Sequence, residues 1–154
     1  MFSEYIFSFG EKIQKQDATL QKSTSENDTP VYHKIINNRT NRKKAMREIY
    51  FLRALQGNGH IVKLINASNN SDDISVIQED AGKPLRNYAV VDKKLNSETA
   101  KTIISQLYDA IHHLRTKNIA HLDLHAGNIL VSSDPVNVKL IDFGLSNISL
   151  SQDQ

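Results

Sequence analysis

Apolar and polar residues alternate roughly over residues 5–13, and this period of two predicts a β-strand, while short runs rich in apolar or β-branched residues predict the others. The predicted strands cover residues 5–13, 18–22, 31–36, 61–65, 74–77, 129–132 and 138–141. Clusters of polar turn residues at 23–30 and 66–73 separate neighbouring strands. The last two strands are close enough in sequence to form a β-hairpin.

Two further segments have apolar residues every three or four positions, which predicts amphipathic helices. The first covers residues 40–55 and is stopped by Gly57 and Gly59. The second follows an N-cap at Ser97 and continues to about Thr116. Its apolar stripe is the most regular in the chain and contains Ala100, Ile103, Ile104, Leu107, Ile111 and Leu114. The predicted order is therefore three strands, a helix, two strands, a helix and a hairpin.

Composition narrows the class of protein without identifying it. A chain of 154 residues suits one compact unit with a sizeable core. Its 19 basic and 17 acidic residues nearly balance, so we expect neither nucleic acid nor membrane as a partner. The basic cluster of Arg39, Arg42, Lys43, Lys44 and Arg47 is interpreted as a solvated face at a helix start. The absence of cysteine excludes disulfides, thiol catalysis and Cys-ligated zinc.

The first residues of the chain give no targeting signal. Glu4 and Glu11 lie there, and no basic segment precedes an apolar one, so no secretory signal peptide is predicted. No apolar run approaches the length of a membrane span. We therefore expect a cytoplasmic protein.

Two short segments near the C-terminus carry oxygen ligands at a regular spacing. In the first, His121-Leu122-Asp123 is followed by Asn128, which gives the pattern H-x-D-x-x-x-x-N. In the second, Asp142-Phe143-Gly144 follows a short apolar run. This pair of motifs resembles the catalytic loop and the metal-binding loop of protein kinases.

The resemblance implies an α+β, protein kinase-like fold in one domain of residues 1–154. Its N-lobe, residues 1–80, is expected to have five antiparallel strands and one helix. Its partial C-lobe, residues 81–154, is expected to be mainly helical and truncated just after the D-F-G motif, because only ten residues follow Gly144. Either the chain is a cut version of a longer protein, or it is a naturally minimal kinase-like protein similar to bacterial effectors and viral kinase mimics, in which case it would act inside a host cell.

The resemblance also assigns roles in an ATP- and Mg²⁺-dependent transfer of phosphate to a protein hydroxyl. Asp123 would orient the attacking hydroxyl or accept its proton. Asn128 and Asp142 would bind the metal through hard oxygen ligands.

The remaining assigned roles concern the nucleotide. Lys34, held by Glu48, would neutralise the α- and β-phosphates. The segment from Glu79 to Ala81 resembles the hinge, where backbone groups meet adenine.

The glycine-rich loop of kinases is poorly matched. One alignment puts Gln14, Gln16 and Thr19 at the three glycine positions, and another keeps Gly10 but puts Lys12 and Lys15 at the other two. Since glycine lets backbone N–H groups approach phosphate, we expect weak or metal-dependent nucleotide binding. Asp17 would repel a nucleotide, whereas Lys15 would partly compensate.

Three other positions depart from the family pattern. Tyr32 shares a strand face with Lys34, where kinases have a small alanine, so its ring would either crowd the adenine site or turn aside. Leu122 replaces the arginine that reads out activation by phosphorylation. His125 replaces lysine, and residues 125–128 resemble haspin-like kinases and small-molecule phosphotransferases.

Three functions are therefore kept open: a minimal Ser/Thr-type protein kinase, a pseudokinase that binds a partner protein or kinase, and, more distantly, a small-molecule phosphotransferase. The long helix adds a structural alternative. Either Ile104 and Ile111 are exposed and favour a homodimer or a partner protein, or the helix turns its whole apolar stripe inward.

Overall fold

The computed structural model describes residues 8–14, 18–25 and 27–149. The chain groups into two compact units, with boundaries after Ala45, Val62 and Asp80. The first predicted strand begins at residue 5, and residues 5–7 of it lie outside the described ranges, as do Lys15, Gln16 and Asp17 of the predicted phosphate loop.

The first unit is built on one antiparallel sheet. Its strands are β1 (Ser8–Gln14), β2 (Ala18–Thr24), β3 (Pro30–Asn37), β4 (Leu64–Asn69) and β5 (Asp73–Glu79). Their spatial order is β1-β2-β3-β5-β4, with every neighbouring pair antiparallel. The prediction of a five-stranded antiparallel sheet is therefore confirmed.

The strand predicted at residues 61–65 was misplaced, because β4 begins only at Leu64. Ile61 and Val62 are buried, and they belong to the second unit, where they contact the strand that contains Leu140. The Val62 amide donates to the Leu140 carbonyl at 3.1 Å, and Ile61 bridges the same residue. The apolar run at residues 61–65 indicated burial, but it could not show whether Ile61 and Val62 pair with the five-stranded sheet or with the strand that contains Leu140.

The register of the sheet decides which side chains share a face. Lys34 lies opposite Leu20 and Val76, and Tyr32 lies opposite Lys22. Because residues directly opposite each other point to the same face, as do residues two apart, all five belong to one face of the sheet.

Helix α1 (Asn38–Ala54) has a non-helical residue, Asn41, near its start. Its buried positions follow helical spacing and are Ala45, Glu48, Ile49, Phe51, Leu52 and, just beyond its end, Leu55. Arg42, Lys43 and Arg47 are exposed, which agrees with the interpretation of a solvated basic face.

The second unit contains α2 (Ser97–Thr116), a short π-helical turn (Asn87–Val91) and five short strands. The strands are β6 (Lys83–Pro84), β7 (Ile119–Ala120), β8 (Ile129–Ser132), β9 (Asn137–Leu140) and β10 (Asn147–Ile148). They form a three-stranded sheet, β6-β8-β9, and a pair, β10-β7. The hairpin of β8 and β9 was predicted; β6, β7 and β10 are two-residue strands without a detectable pattern.

The N-cap of α2 is Asn96, not Ser97 as predicted. The Asn96 side chain accepts a hydrogen bond from the Thr99 amide at 2.8 Å, and its backbone is extended. Both residue types cap helices well, and the one whose backbone lies outside the helix takes the role.

One side of α2 is apolar and exposed. Ile103 is 4% exposed, whereas Ile104 is 66% and Ile111 is 42% exposed. Each helical residue turns by about 100°, so neighbouring isoleucines face different sides. We call Ile104, Tyr108 and Ile111, all exposed, the α2 outer stripe. The sequence left two alternatives for this helix, and the structure has the exposed one.

Gly82, which directly precedes β6, packs closely against β8 of the second unit's sheet. Gly82 has φ +104°, and a Cβ there would lie 2.3 Å from the Val131 carbonyl oxygen. Only glycine allows this approach of the chain to β8. In the described part of the chain, no helix is long and apolar enough to cross a membrane.

Candidate functional site

The loop between β7 and β8 brings Asp123 and Asn128 together. Asn128 is 7% exposed, and its Nδ2 donates to the Asp123 backbone oxygen at 3.0 Å and to Oδ2 of the Asp123 carboxylate at 3.2 Å. Because the amide nitrogen is directed at Asp123, the amide oxygen lies on the other side of the Asn128 side chain. That oxygen is the atom a metal ion would require.

His121 fastens this loop to the segment that carries Asp142. Its Nε2 lies 2.9 Å from the Ile141 carbonyl, and its Nδ1 lies 3.2 Å from the Asp123 amide. A carbonyl can only accept and an amide N–H can only donate, so the ring carries its proton on Nε2. The buried His121 ring also meets Phe143 edge to face, with centroids 5.0 Å apart.

Asp142 is held in an unusual backbone conformation, with φ +62°. Its Oδ1 accepts a hydrogen bond from the Gly144 amide at 3.3 Å. The preceding residue, Ile141, donates its amide to the Asn128 carbonyl at 3.1 Å. Asp123, Asn128 and Asp142 are therefore connected through one hydrogen-bonded network within the second unit.

The donor set of this network suits a hard divalent cation, since it consists of carboxylate and amide oxygens. Within the described ranges, no group of three His, Asp or Glu side chains could hold a metal ion by itself. An ion bound by Asn128 and Asp142 would need water or phosphate oxygens to complete its coordination, as Mg²⁺ does beside nucleotides.

His125 lies in the middle of the same loop, between β7 and β8. Its Nδ1 accepts from the Gly127 amide at 3.0 Å, which places the ring proton of the neutral form on Nε2. Nε2 lies 3.8 Å from Oδ1 of Asp123 and 3.0 Å from Nδ2 of Asn128. Leu122, with φ +64°, is exposed. The sequence analysis identified both Leu122 and His125 as departures from the kinase pattern.

Lys34 lies in the middle of β3 in the first unit and is half-buried. Glu48 is buried on α1, where a carboxylate requires a polar or charged partner. Their roles stay predictions.

The three predicted hinge residues, Glu79, Asp80 and Ala81, differ in the hydrogen bonds of their backbone amides. The Glu79 amide donates to the Lys63 carbonyl at 3.1 Å, and its carboxylate accepts from the Lys63 amide at 2.8 Å. Asp80 donates its amide to Pro30 at 3.2 Å. Ala81 is 5% exposed, and its amide makes no hydrogen bond to any described residue.

The sequence missed a polar cluster on the sheet face that carries Lys34. Lys22 Nζ lies 2.7 Å from Oδ2 of Asp80 and 5.7 Å from the centre of the Tyr32 ring. The hydrogen bond to Asp80, and then the charge of that carboxylate, raise the pKa of Lys22. Opposite Tyr32 on the same face, Gln78 is buried, and its Oε1 has no hydrogen-bond partner among the described atoms. Only the strand register could have predicted this cluster.

Comparison with known protein families identifies the family to which this chain belongs. The family model for the protein kinase domain matches residues 18–154, so the chain belongs to the protein kinase family. The expected α+β kinase-like fold is confirmed. Proteins of this family generally use ATP and a divalent metal ion and act on protein substrates.

Three relatives illustrate the similarity. The chain is 39% identical over 120 residues to the carbon catabolite-derepressing protein kinase of Candida tropicalis, covering 75% of this chain and 19% of that protein. It is 37% identical over 102 residues to the SNF1-like protein kinase ssp2 of Schizosaccharomyces pombe, covering 66% and 17%. It is 35% identical over 112 residues to extracellular signal-regulated kinase 2 of Dictyostelium discoideum, covering 71% and 30%. The chain thus spans about a fifth of the length of the first of these relatives.

Proposed function

We propose that this chain binds ATP with Mg²⁺ and transfers the γ-phosphoryl group to a serine or threonine hydroxyl of a protein. The observation that carries the proposal is the contact of Asn128 with Asp123, because it fixes two functional groups at once. One is a carboxylate that can take a proton, and the other is an amide oxygen that can bind a metal.

In the proposed reaction, the substrate hydroxyl oxygen forms a bond to the γ-phosphorus while the bond to the β-phosphate oxygen breaks and ADP leaves. Asp123 receives the hydroxyl proton. Asn128 and Asp142 would hold Mg²⁺, which supplies positive charge to the phosphates when it is bound. Positioning and charge provide most of the acceleration in such transfers.

On the nucleotide side, the Ala81 amide supports an adenine contact, because a buried N–H without a partner costs free energy. Lys34, Glu48 and Glu79 have the roles that the family resemblance implies. The poorly matched glycine loop and the Tyr32 ring on the Lys34 face lead us to expect weak nucleotide binding.

A second candidate function is a non-catalytic module that binds a partner protein. Two observations favour it: the bulky Tyr32 ring on the Lys34 face and the exposed α2 outer stripe, which offers an apolar contact surface. The homodimer expected from the sequence stays a prediction. Transfer to a small molecule rests on the resemblance of residues 125–128 alone.

Thermal unfolding with Mg·ATP, compared with ATP and EDTA, separates the first two functions. A ligand that binds only the native state stabilises it, so a Mg²⁺-dependent rise in Tm supports the kinase proposal. No rise at millimolar ATP supports the binding module.

Transfer itself is tested by incorporation of labelled phosphate into a protein acceptor. We expect Asp142→Asn to lower it by about 100-fold or more. Asp134→Asn is the matched control, because Asp134 is an exposed carboxylate in the β8–β9 turn and should have no effect. Equal loss in both variants, or transfer to choline or an aminoglycoside but not to protein, contradicts the proposal.

A further inference from the structure

A second concave site lies in the second unit, formed by residues 58–60 and the C-terminal half of α2. Its volume is about 440 Å³, and its lining includes His60, Asp109, His112 and His113. None of the lining residues belongs to the catalytic loop or to the D-F-G segment. The site is therefore separate from the residues proposed for phosphoryl transfer.

His60 presents a hydrogen-bond acceptor rather than a donor. Its Nδ1 lies 2.9 Å from the Val138 carbonyl oxygen, which can only accept, so the proton of the neutral ring is on Nδ1. Nε2 then carries a lone pair. The Asn58 side chain accepts the His60 backbone amide at 2.8 Å and fixes the loop that holds the ring.

His113 has the opposite tautomer, and it too keeps one ring nitrogen as a hydrogen-bond acceptor. Its Nε2 lies 3.0 Å from the Leu55 carbonyl, so the proton is on Nε2 and the lone pair is on Nδ1. Both imidazoles thus use their single N–H on backbone carbonyls, and each keeps one acceptor nitrogen. Thr116 likewise uses its hydroxyl hydrogen, on the His113 carbonyl at 2.7 Å.

Asp109 adds a negative charge to this set of acceptors. Its carboxylate is exposed, and it makes no hydrogen bond or ion pair with any residue of the described chain. The nearby His112 ring stacks on Tyr108, with centroids 6.2 Å apart. Two imidazoles that each keep an acceptor nitrogen, a hydroxyl that can only accept and a carboxylate therefore belong to the residues that line one cavity.

We propose that this cavity binds an alkylguanidinium group, such as the side chain of arginine. A guanidinium has five N–H donors and no acceptor, and it pairs with a carboxylate through two parallel hydrogen bonds. An anion would meet the Asp109 charge and the lone pairs. A metal ion is not the ligand, because no three candidate ligands are suitably grouped within the described residues. The guanidinium belongs either to a partner protein or to a small metabolite.

The test is a titration of the protein followed by NMR of the histidine ring nitrogens at pH 8, where an ordinary imidazole is neutral. The ligands are agmatine, N-acetyl-arginine methylamide and an arginine-containing peptide, with N-acetyl-lysine methylamide as the chemical control. We expect millimolar binding of the arginine compounds, with shifts at His60 Nε2 and His113 Nδ1 and not at the protonated nitrogens. Lysine amide should bind more weakly, because an ammonium cannot form the two parallel bonds.

Asp109→Asn should raise the Kd about threefold to tenfold, the range between an exposed and a bidentate ion pair. Glu98→Gln is the matched control: it removes a carboxylate from an exposed position of the same helix, and the Kd should not change. Tighter binding of the peptide than of agmatine identifies a protein partner, and equal binding identifies a small molecule. No binding, equal affinity for lysine amide, or an unchanged Kd in Asp109→Asn overturns the proposal. The readout is independent of ATP, so phosphoryl transfer can fail while this inference stands.

Discussion

Replacement of Asn128 by aspartate tests the geometry of the candidate site without any substrate. Asn128→Asp keeps the shape of the side chain but turns a donor into a carboxylate. The two hydrogen bonds to Asp123, at 3.0 and 3.2 Å, are lost, and two negative groups then face each other. We expect a clear loss of folding stability at neutral pH.

The size of the loss follows from the distance. Two unit charges 3.2 Å apart repel by about 5 kcal/mol at an effective dielectric constant of about 20. The Asp123 side chain is 37% exposed, and solvent screening reduces this to about 2–3 kcal/mol. Repulsion also raises the pKa of the carboxyl pair in the folded variant. The folded variant then binds a proton more tightly than the unfolded chain, so the loss should shrink as the pH falls from about 7 to 4.

Urea denaturation of the wild type and the variant, at pH 7.5 and at pH 5, measures this effect. Asn87→Asp is the control, since Asn87 is exposed and its change adds the same charge. We expect a change below about 0.5 kcal/mol in the control. An Asn128→Asp variant as stable as the wild type, or a loss that does not depend on pH, would refute the placement of Asn128 against the Asp123 carboxylate.

Two further substitutions test other parts of the structure. Gly82→Ala should cost at least about 3 kcal/mol in urea denaturation, because its Cβ would lie 2.3 Å from the Val131 oxygen; Gly57→Ala, with φ +94° and open space, should cost only about 1–2 kcal/mol. Equal losses would contradict the close approach. Burial lowers the pKa of His33, although the Asp73 charge opposes the shift, so the unfolded state binds more protons below about pH 6.5. The Tm of the wild type should therefore fall more steeply between pH 7 and 5 than that of His33→Gln, and parallel curves would show that the pKa of this histidine is not lowered in the folded protein.

Helix α2 shows what periodicity predicts and what it leaves open. Its span was predicted because a regular apolar stripe follows a capping residue near Ser97 and ends near Thr116. Ile103 and Ile104 are both apolar, however, and only packing decides that the first is buried and the second exposed. The apolar run that begins at Ile61 likewise indicated burial without indicating the partner strand, so β4 was predicted to begin three residues too early.

The contact between Asp123 and Asn128 could be predicted because it is local. Asp123 and Asn128 are separated by four residues of one loop, so their spacing directly indicates a contact. The cavity on α2 could not be predicted. His60 and His113 lie 53 positions apart on a loop and a helix, and their tautomers depend on carbonyl groups that no sequence pattern identifies.

The hydrogen bonds that join residues 119–121 to residues 141–148 have a consequence for local unfolding of these two segments. The Ser146 hydroxyl donates to the His121 carbonyl at 3.2 Å, and β10 pairs with β7 at Asn147 and Ala120, beside the bond from His121 to Ile141. Neither segment can separate from the other without breaking these bonds together. We therefore expect their amides to exchange with deuterium as one cooperative block, with a common opening free energy.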